Sequence, residues 1–240
     1  MEETRLQKFI SDCGLMSRRA AEAEIQKGNF TVNGVTAVIG QKINIETDTV
    51  EYLGKKLDPN EKENYTYIML NKPRGIISSA KDDRGRKCVT DIVKIDGKRL
   101  YPAGRLDYNS DGLILLTDDG ELTNKLTHPK HKIPKIYYVT VSGTISENEY
   151  KVLTSPLVID NYKIRPVKVD ILDTANDTSL LQMELFEGRN RQIRKMCDIA
   201  GLKVLSLTRV AIGNIVLGDL HRGAWRYLTD DEINYLKRES

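Results

Sequence analysis

Seven consecutive residues, Asp58-Pro59-Asn60-Glu61-Lys62-Glu63-Asn64, contain no apolar side chain and begin with an Asp-Pro step. Such a stretch has nothing to bury and starts with a pair that disfavours helix, so it reads as an exposed linker. It divides the 240 residues into a leading domain over 1–58 and a larger one over 65–240, joined by 59–64. With 40% hydrophobic residues, both parts can fill a core. No apolar run approaches the roughly 20 residues of a membrane helix, and Met1-Glu2-Glu3-Thr4-Arg5 does not open a signal peptide. Three cysteines, Cys13, Cys88 and Cys197, are far apart and odd in number. They fit a reducing compartment rather than a disulfide framework. The expectation is a cytoplasmic protein with no membrane partner.

The leading domain carries strong local signals. Thr4 with Gln7 at the third position reads as a helix start, with Leu6, Phe9 and Ile10 on one face and Gly14 as the stop. Ser17 opens a second helix with Ala20, Ala21 and Ile25 on its apolar side, ended by Gly28-Asn29. Phe30 to Val32 is a strand, Asn33-Gly34 a hairpin turn, Val35 to Ile39 the return, and Thr49 to Leu53 a further strand. The chain's net charge of +3, from 37 basic and 34 acidic residues, does not announce a nucleic-acid partner. Position says more. Arg5 and Lys8 share a helical face, and Arg18-Arg19 occupy the first turn of the next helix, where they oppose its dipole and an external anion would relieve them. A solvated basic face is the other reading of the same charges.

In the larger domain, Tyr65 to Leu70 alternates as a strand buried on both faces, ending at Asn71-Lys72-Pro73-Arg74-Gly75. Further strand patterns lie at 136–141, 164–171, 180–186, 203–210 and 214–217. Helical patterns lie at 120–126, 147–153, 191–200 and 230–236. Strands dominate without regular alternation, which predicts an α+β fold around a mostly antiparallel or mixed sheet.

Familiar reaction chemistries lack their residues. Of His128, His131 and His221, none has a Cys or Glu at ligand spacing, and a surface or structural role outweighs a metal site. There is no phosphate-cradling glycine loop and no nucleophile elbow, and Cys197 falls on an apolar helical face as a packed thiol. Two segments stand out. In Tyr101-Pro102-Ala103-Gly104-Arg105-Leu106-Asp107-Tyr108-Asn109-Ser110-Asp111-Gly112, two glycines bracket a polar loop just before the apolar run from Leu113. Asp107 is thereby held at the mouth of a core element, either as a reactive carboxylate or as a loop Asp bonded to its own backbone. In Glu187 to Cys197, Ile193, Met196, Cys197 and Ala200 form an apolar stripe, with Arg194 near its edge and able to reach inward. Arg189, Arg191, Arg194 and Lys195 are dense enough for phosphate contacts, or form a solvated basic face.

The run of Arg5, Lys8, Gly14, Ser17-Arg18-Arg19, Gly28-Asn29-Phe30 and Val32-Asn33-Gly34 resembles the S4-like alpha-L RNA-binding domain. Gly104-Arg105-Leu106-Asp107 followed by Gly112-Leu113-Ile114-Leu115-Leu116-Thr117 resembles ribosomal RNA pseudouridine synthases of the small- and large-subunit types. Leu70-Asn71-Lys72-Pro73, Lys135-Ile136-Tyr137-Tyr138-Val139 and Glu187-Gly188-Arg189-Asn190-Arg191-Gln192-Ile193-Arg194 carry the same resemblance. It implies an RNA-binding domain in front of a synthase core with a central cleft, and a monomer that needs no cofactor and no metal.

The implied reaction isomerises uridine to pseudouridine: the N1–C1′ bond is broken and a C5–C1′ bond is made. Asp107 would be the nucleophile, attacking C1′ or the uracil ring. Arg194 would be its basic partner, favouring the ionised carboxylate. Tyr137 would stack on the uracil, with Tyr138 in the opposite strand phase and outside the pocket. The uridine has to be flipped out, and Arg105 matches the side chain that fills the vacated stack. Lys72, Arg74, Arg189, Arg191 and Lys195 would meet phosphates, and Arg5, Lys8, Arg18 and Arg19 would face structured RNA. His128-Pro129, the Glu-Gly-Arg-Asn-Arg-Gln run and Leu220 to Trp225 resemble the large-subunit members more closely. The implied partner is therefore large-subunit (23S) rRNA or an assembly intermediate. A uridine of small-subunit (16S) rRNA is the alternative, and a non-catalytic RNA-binding or ribosome-assembly factor a further one. A glycosidase would need a paired acid that is not identifiable here.

Overall fold

A computed structural model describes residues 3–58, 65–128, 130 and 133–239. The chain forms two compact units, one over Met1–Tyr65 with Gly97–Arg99 and one over Thr66–Asp96 with Leu100–Ser240. The expected linker 59–64 and His131 lie outside the described residues.

The first unit runs β1 (Glu3–Arg5), α1 (Leu6–Asp12), α2 (Arg18–Gln26), β2 (Phe30–Val32), β3 (Val35–Thr36), β4 (Lys42–Asn44), β5 (Val50–Tyr52) and β6 (Lys55–Lys56). Leu6, Phe9, Ile10, Ala21, Ile25 and Phe30 meet in one buried cluster. Ser17 caps α2 as its position predicts, Oγ accepting from Ala20 N–H at 3.1 Å. Thr4 does not cap α1. Residues 3–5 pair with β4 instead, Thr4 opposite Ile43, so the cap position passes to Arg5. Ala20, expected on the apolar side, is exposed, because Ala21 and Ile25 alone complete the buried stripe. At the hairpin turn Asn33 and Gly34 have φ of 52° and 78°. Two positive values in succession are what a two-residue connection between twisted strands requires.

The second unit runs β7 (Tyr67–Lys72), α3 (Val89–Ile92), β8 (Tyr101–Ala103), β9 (Asp111–Thr117), α4 (Gly120–Thr127), β10 (Lys135–Ser142), α5 (Glu147–Thr154), β11 (Val158–Ile159), β12 (Tyr162–Lys163), β13 (Lys168–Ala175), β14 (Thr178–Leu185), α6 (Gln192–Ile199), β15 (Val204–Ile212), β16 (Ile215–Val216), β17 (Trp225–Tyr227) and α7 (Asp230–Glu239). Its main sheet has the order β13-β14-β10-β15-β9-β7-β17, with β8 added to β9 and β16 to β15. Neighbours are antiparallel except β9 and β15, which run parallel at the sheet centre. The fold is α+β with a mixed sheet, as the strand-rich pattern predicts.

The strand expected from Ile164 begins only at Lys168, because Pro166 has no N–H to give a ladder. Ile164 and Val167 still bury their side chains, and the Ile164 N–H turns back to Leu157 O at 3.0 Å. Strands β7 and β9 are buried on both faces. Met69, Leu113 and Leu115 pack toward α4 and α7, while Ile68, Leu70, Ile114 and Leu116 pack on the α3 side. Each such side chain contributes roughly 1.5–3 kcal/mol of burial.

Gly112 makes the parallel junction possible. Its φ is +102°, and a Cβ there would meet the Arg209 backbone, its nitrogen at 2.7 Å and its carbonyl carbon at 3.0 Å. Only glycine tolerates both the dihedral and the approach.

Candidate active site

The loop 104–110 joins β8 to β9 and carries Asp107. Leu106, beside it, is buried in the α3-side cluster and anchors the loop from within. Ser78 pins the same residue: its Oγ accepts from Leu106 N–H at 3.0 Å and donates to Leu106 O at 2.8 Å. Gly75 N–H donates to Tyr108 O at 2.9 Å, and Ser110 N–H closes the turn onto Asp107 O at 3.1 Å. The loop is thus held by its backbone, and the Asp107 side chain is left over. Among the described residues its carboxylate accepts no hydrogen bond from that backbone, and it stays 30% exposed.

Asp107 lines a cavity with Arg105, Tyr137, Arg189, Arg191 and Leu207. Tyr137 comes from β10 and packs against both the α3-side cluster and the α5–α6 cluster. The cavity therefore sits where two cores meet, with one wall apolar and a rim of guanidinium groups. Tyr138, in the opposite phase, is 39% exposed and does not line it.

The segment from Glu187 to Gln192 folds on itself to supply that rim. Gln192 is 3% exposed; its Oε1 accepts from Arg189 N–H at 3.2 Å and its Nε2 donates to Glu187 Oε1, also at 3.2 Å. Arg189 is laid flat on Tyr162, its guanidinium carbon 3.1 Å from the ring centroid. Arg191 caps α6 with a left-handed backbone, φ 51° and ψ 32°. That conformation costs a non-glycine residue about 1 kcal/mol and marks functional sites more often than ordinary helix starts. It points Nη1 to within 3.9 Å of Asp107 Oδ2.

Arg194, expected as the carboxylate's partner, reaches inward but stops at the loop. Its Nη2 donates to Asn109 O at 3.1 Å and approaches Ser110 Oγ at 3.5 Å, so in this structure the ion partner of Asp107 is Arg191. Burial, with Arg191 close by, pulls the Arg194 guanidinium below its ordinary value. Cys197 is a packed thiol, pushed up to about 12 by burial.

One expected phosphate contact, Lys72, is corrected by burial. Lys72 is 0% exposed, and its Nζ donates to the carbonyls of Pro73 at 3.0 Å and Ile76 at 2.8 Å. Desolvation pushes its amine down to about 8 against the pull of Asp111 and Asp107. It supports the turn 73–76 from inside and cannot meet an external phosphate. Lys195 is paired with Asp160 at 2.5 Å and lies outside the cavity lining. Arg74 is paired with the buried Asp111 at 3.3 Å. In the first unit, Arg5, Lys8, Arg18 and Arg19 are all exposed, with Lys8 bridging to Asp12 at 3.0 Å.

Ser78 and Gln192 are the site residues that the sequence reading missed. Gln192 stands inside a motif already singled out, and its burial could have been read from its place beside Ile193 on the helix. Ser78 gives no local signal, since its partner lies 28 residues away. Among the described residues no group of three or more His, Cys, Asp or Glu could hold a metal, and no helix is long and apolar enough to cross a membrane.

Residues 66–198 match the family model described as RNA pseudouridylate synthase. Ribosomal large subunit pseudouridine synthase B of Bacillus subtilis is 42% identical over 97% of the chain and 95% of that protein. The dual-specificity RNA pseudouridine synthase RluF of Escherichia coli is 38% identical over 95% of the chain and 77% of its own length. A pseudouridylate synthase crystal structure superposes with a TM-score of 0.68 at 33% identity, covering 97% of this chain and 99% of that one. These matches place the chain in the RNA pseudouridylate synthase family.

Proposed function

We propose that this RNA pseudouridine synthase isomerises a uridine of large-subunit ribosomal RNA, with Asp107 as the nucleophile. The observation that carries the reading is the Asp107 carboxylate itself: its loop is pinned by backbone bonds, its oxygens are not used to shape that loop, and it faces Tyr137 across the cavity. Asp107 attacks the flipped uridine and the N1–C1′ bond breaks. The detached uracil turns against Tyr137, C5 joins C1′ as the bond to Asp107 breaks and frees the carboxylate, the C5 proton leaves and N1 takes one up. Arg191 is the ion partner of the carboxylate, and Arg194 holds Asn109 and Ser110 in place. Arg105 occupies the gap left in the RNA stack. The large-subunit target is supported by the name and the near full-length match of the Bacillus subtilis relative. The first unit, with Arg18 and Arg19 on the exposed start of α2, is an S4-like domain that grips folded RNA.

The test is tritium release from C5-labelled large-subunit rRNA by the wild-type protein and by Asp107→Asn. Wild type releases tritium, while the variant binds RNA and releases none; release by the variant would remove Asp107 from the chemistry. Carbodiimide primer extension across total RNA of a deletion strain then locates the uridine. A stop lost only from small-subunit rRNA would overturn the large-subunit assignment. The dual-specificity name of the Escherichia coli relative makes a second lost stop, in another RNA, worth scoring in the same experiment.

A further inference from the structure

Asp111 opens β9 four residues after Asp107, and its side chain is 1% exposed. A carboxylate this deep requires charge partners. Arg74 Nε lies 3.3 Å and Arg222 Nη2 3.0 Å from its Oδ2, while Thr208 Oγ1 donates to Oδ1. One arginine follows β7 and the other precedes β17, so the acid gathers two remote chain segments. Both arginines remain at the surface, 44% and 64% exposed. A guanidinium has five N–H donors, and turning one edge to Asp111 leaves the rest of the fork facing outward.

The three groups sum to +1, and Asp111 and Arg222 line a groove of about 400 Å³ with Asn71, Thr208, Asp219 and His221. Arg74, the other partner of Asp111, precedes Gly75, whose N–H is bonded to Tyr108 of the Asp107 loop, so the cluster is tied to that loop through the backbone. Stability does not explain the arrangement: burying an acid in an otherwise apolar strand costs several kcal/mol, and exposed pairs return little of it.

We propose that Asp111 is a positioning residue that holds Arg74 and Arg222 as one clamp for an RNA backbone phosphate beside the flipped uridine, a proposal that rests on the reading of Asp107 given above. Without the acid, the two cations repel each other and sample many rotamers. With it, their ordering is completed during folding and is not charged to binding.

The experiment uses the full-length protein, C5-tritiated large-subunit rRNA for turnover, and fluorescein-labelled oligouridine for salt-dependent binding. Asp111→Asn keeps the volume and the Thr208 bond but removes the charge, and Arg222→Gln removes one arm at an exposed position. KM rises about 5- to 20-fold in the first and about 3- to 10-fold in the second, with kcat at saturating RNA within about twofold. The slope of log K against log salt becomes shallower by about one unit. The double variant is no weaker than the poorer single one, since both act through one clamp. Unchanged KM and slope in Arg222→Gln overturn the proposal even if Asp111→Asn does not fold. A fall in kcat at constant KM in Asp111→Asn also overturns it, by assigning Asp111 to support of the Asp107 loop. If wild type releases no tritium, the functional reading fails separately, and the oligouridine slope still decides the clamp: shallower supports it, unchanged overturns it.

Discussion

Ser78 holds Leu106, next to Asp107, by both its N–H and its carbonyl, which fixes the backbone from which the Asp107 side chain projects. Removing that hydroxyl frees the loop without touching the cavity wall. Ser78→Ala is expected to lower kcat about 10- to 100-fold with little change in KM, and Ser78→Thr to restore most of it, as measured by tritium release. Lys72 offers a different test. Its ordinary value is 10.5 and burial brings it to about 8 in the folded protein. Below pH 8 both states hold the proton and the full desolvation cost is present. Between 8 and 10.5 the unfolded chain binds a proton that the folded one has released, so stability rises with pH. Urea unfolding of wild type and Lys72→Met from pH 7 to 10 should show the difference shifting in favour of wild type by at most about 2.5 kcal/mol. The glycine brackets draw attention to Asp107 without choosing between a reactive and a structural carboxylate, and Tyr137 is marked only by the family resemblance. Lys72 could not be placed correctly, because a lysine at a strand end looks the same whether its amine meets solvent or two buried carbonyls.

At the level of elements, periodicity carried far. The stripe Ile193, Met196 and Cys197 is the buried face of α6, and the two-sided apolar run of β7 lies inside the sheet, between β9 and β17. Errors arose where a neighbour far along the chain overrode a local signal, as when β4 recruited Thr4 into a strand. Short elements such as β8, β11 and β12 have too few residues to show a period, and pairing alone creates them. The junction of β9 with β15 is of the same kind, yet it has a sequence handle in Gly112. Gly112→Ala forces a Cβ against the Arg209 backbone and a strained φ at once. It should cost about 3 kcal/mol or more and lower the thermal midpoint by several degrees, with turnover lost in proportion to folded protein.

For the whole molecule, net charge is a poor guide. The total of +3 hides Arg18 and Arg19 at the exposed start of α2, and Arg105, Arg189 and Arg191 around one cavity. Acids elsewhere keep the sum low, which limits attraction to RNA at large while leaving local binding strong. Replacing Arg18 and Arg19 together by Gln should weaken RNA binding across sequences and lower the salt slope by up to about two units, read by fluorescence anisotropy. An unchanged slope would take the first unit out of the RNA interface.

The parallel seam between Asp111 and Thr208 spans 97 residues of chain. Contacts of such separation form late, because a long loop has to close before any of them is made. Gly112 and Arg209 meet in that seam, and the Asp107 loop ends where the seam begins. The loop is thus anchored at one end by a pairing that the chain reaches only by closing a long loop.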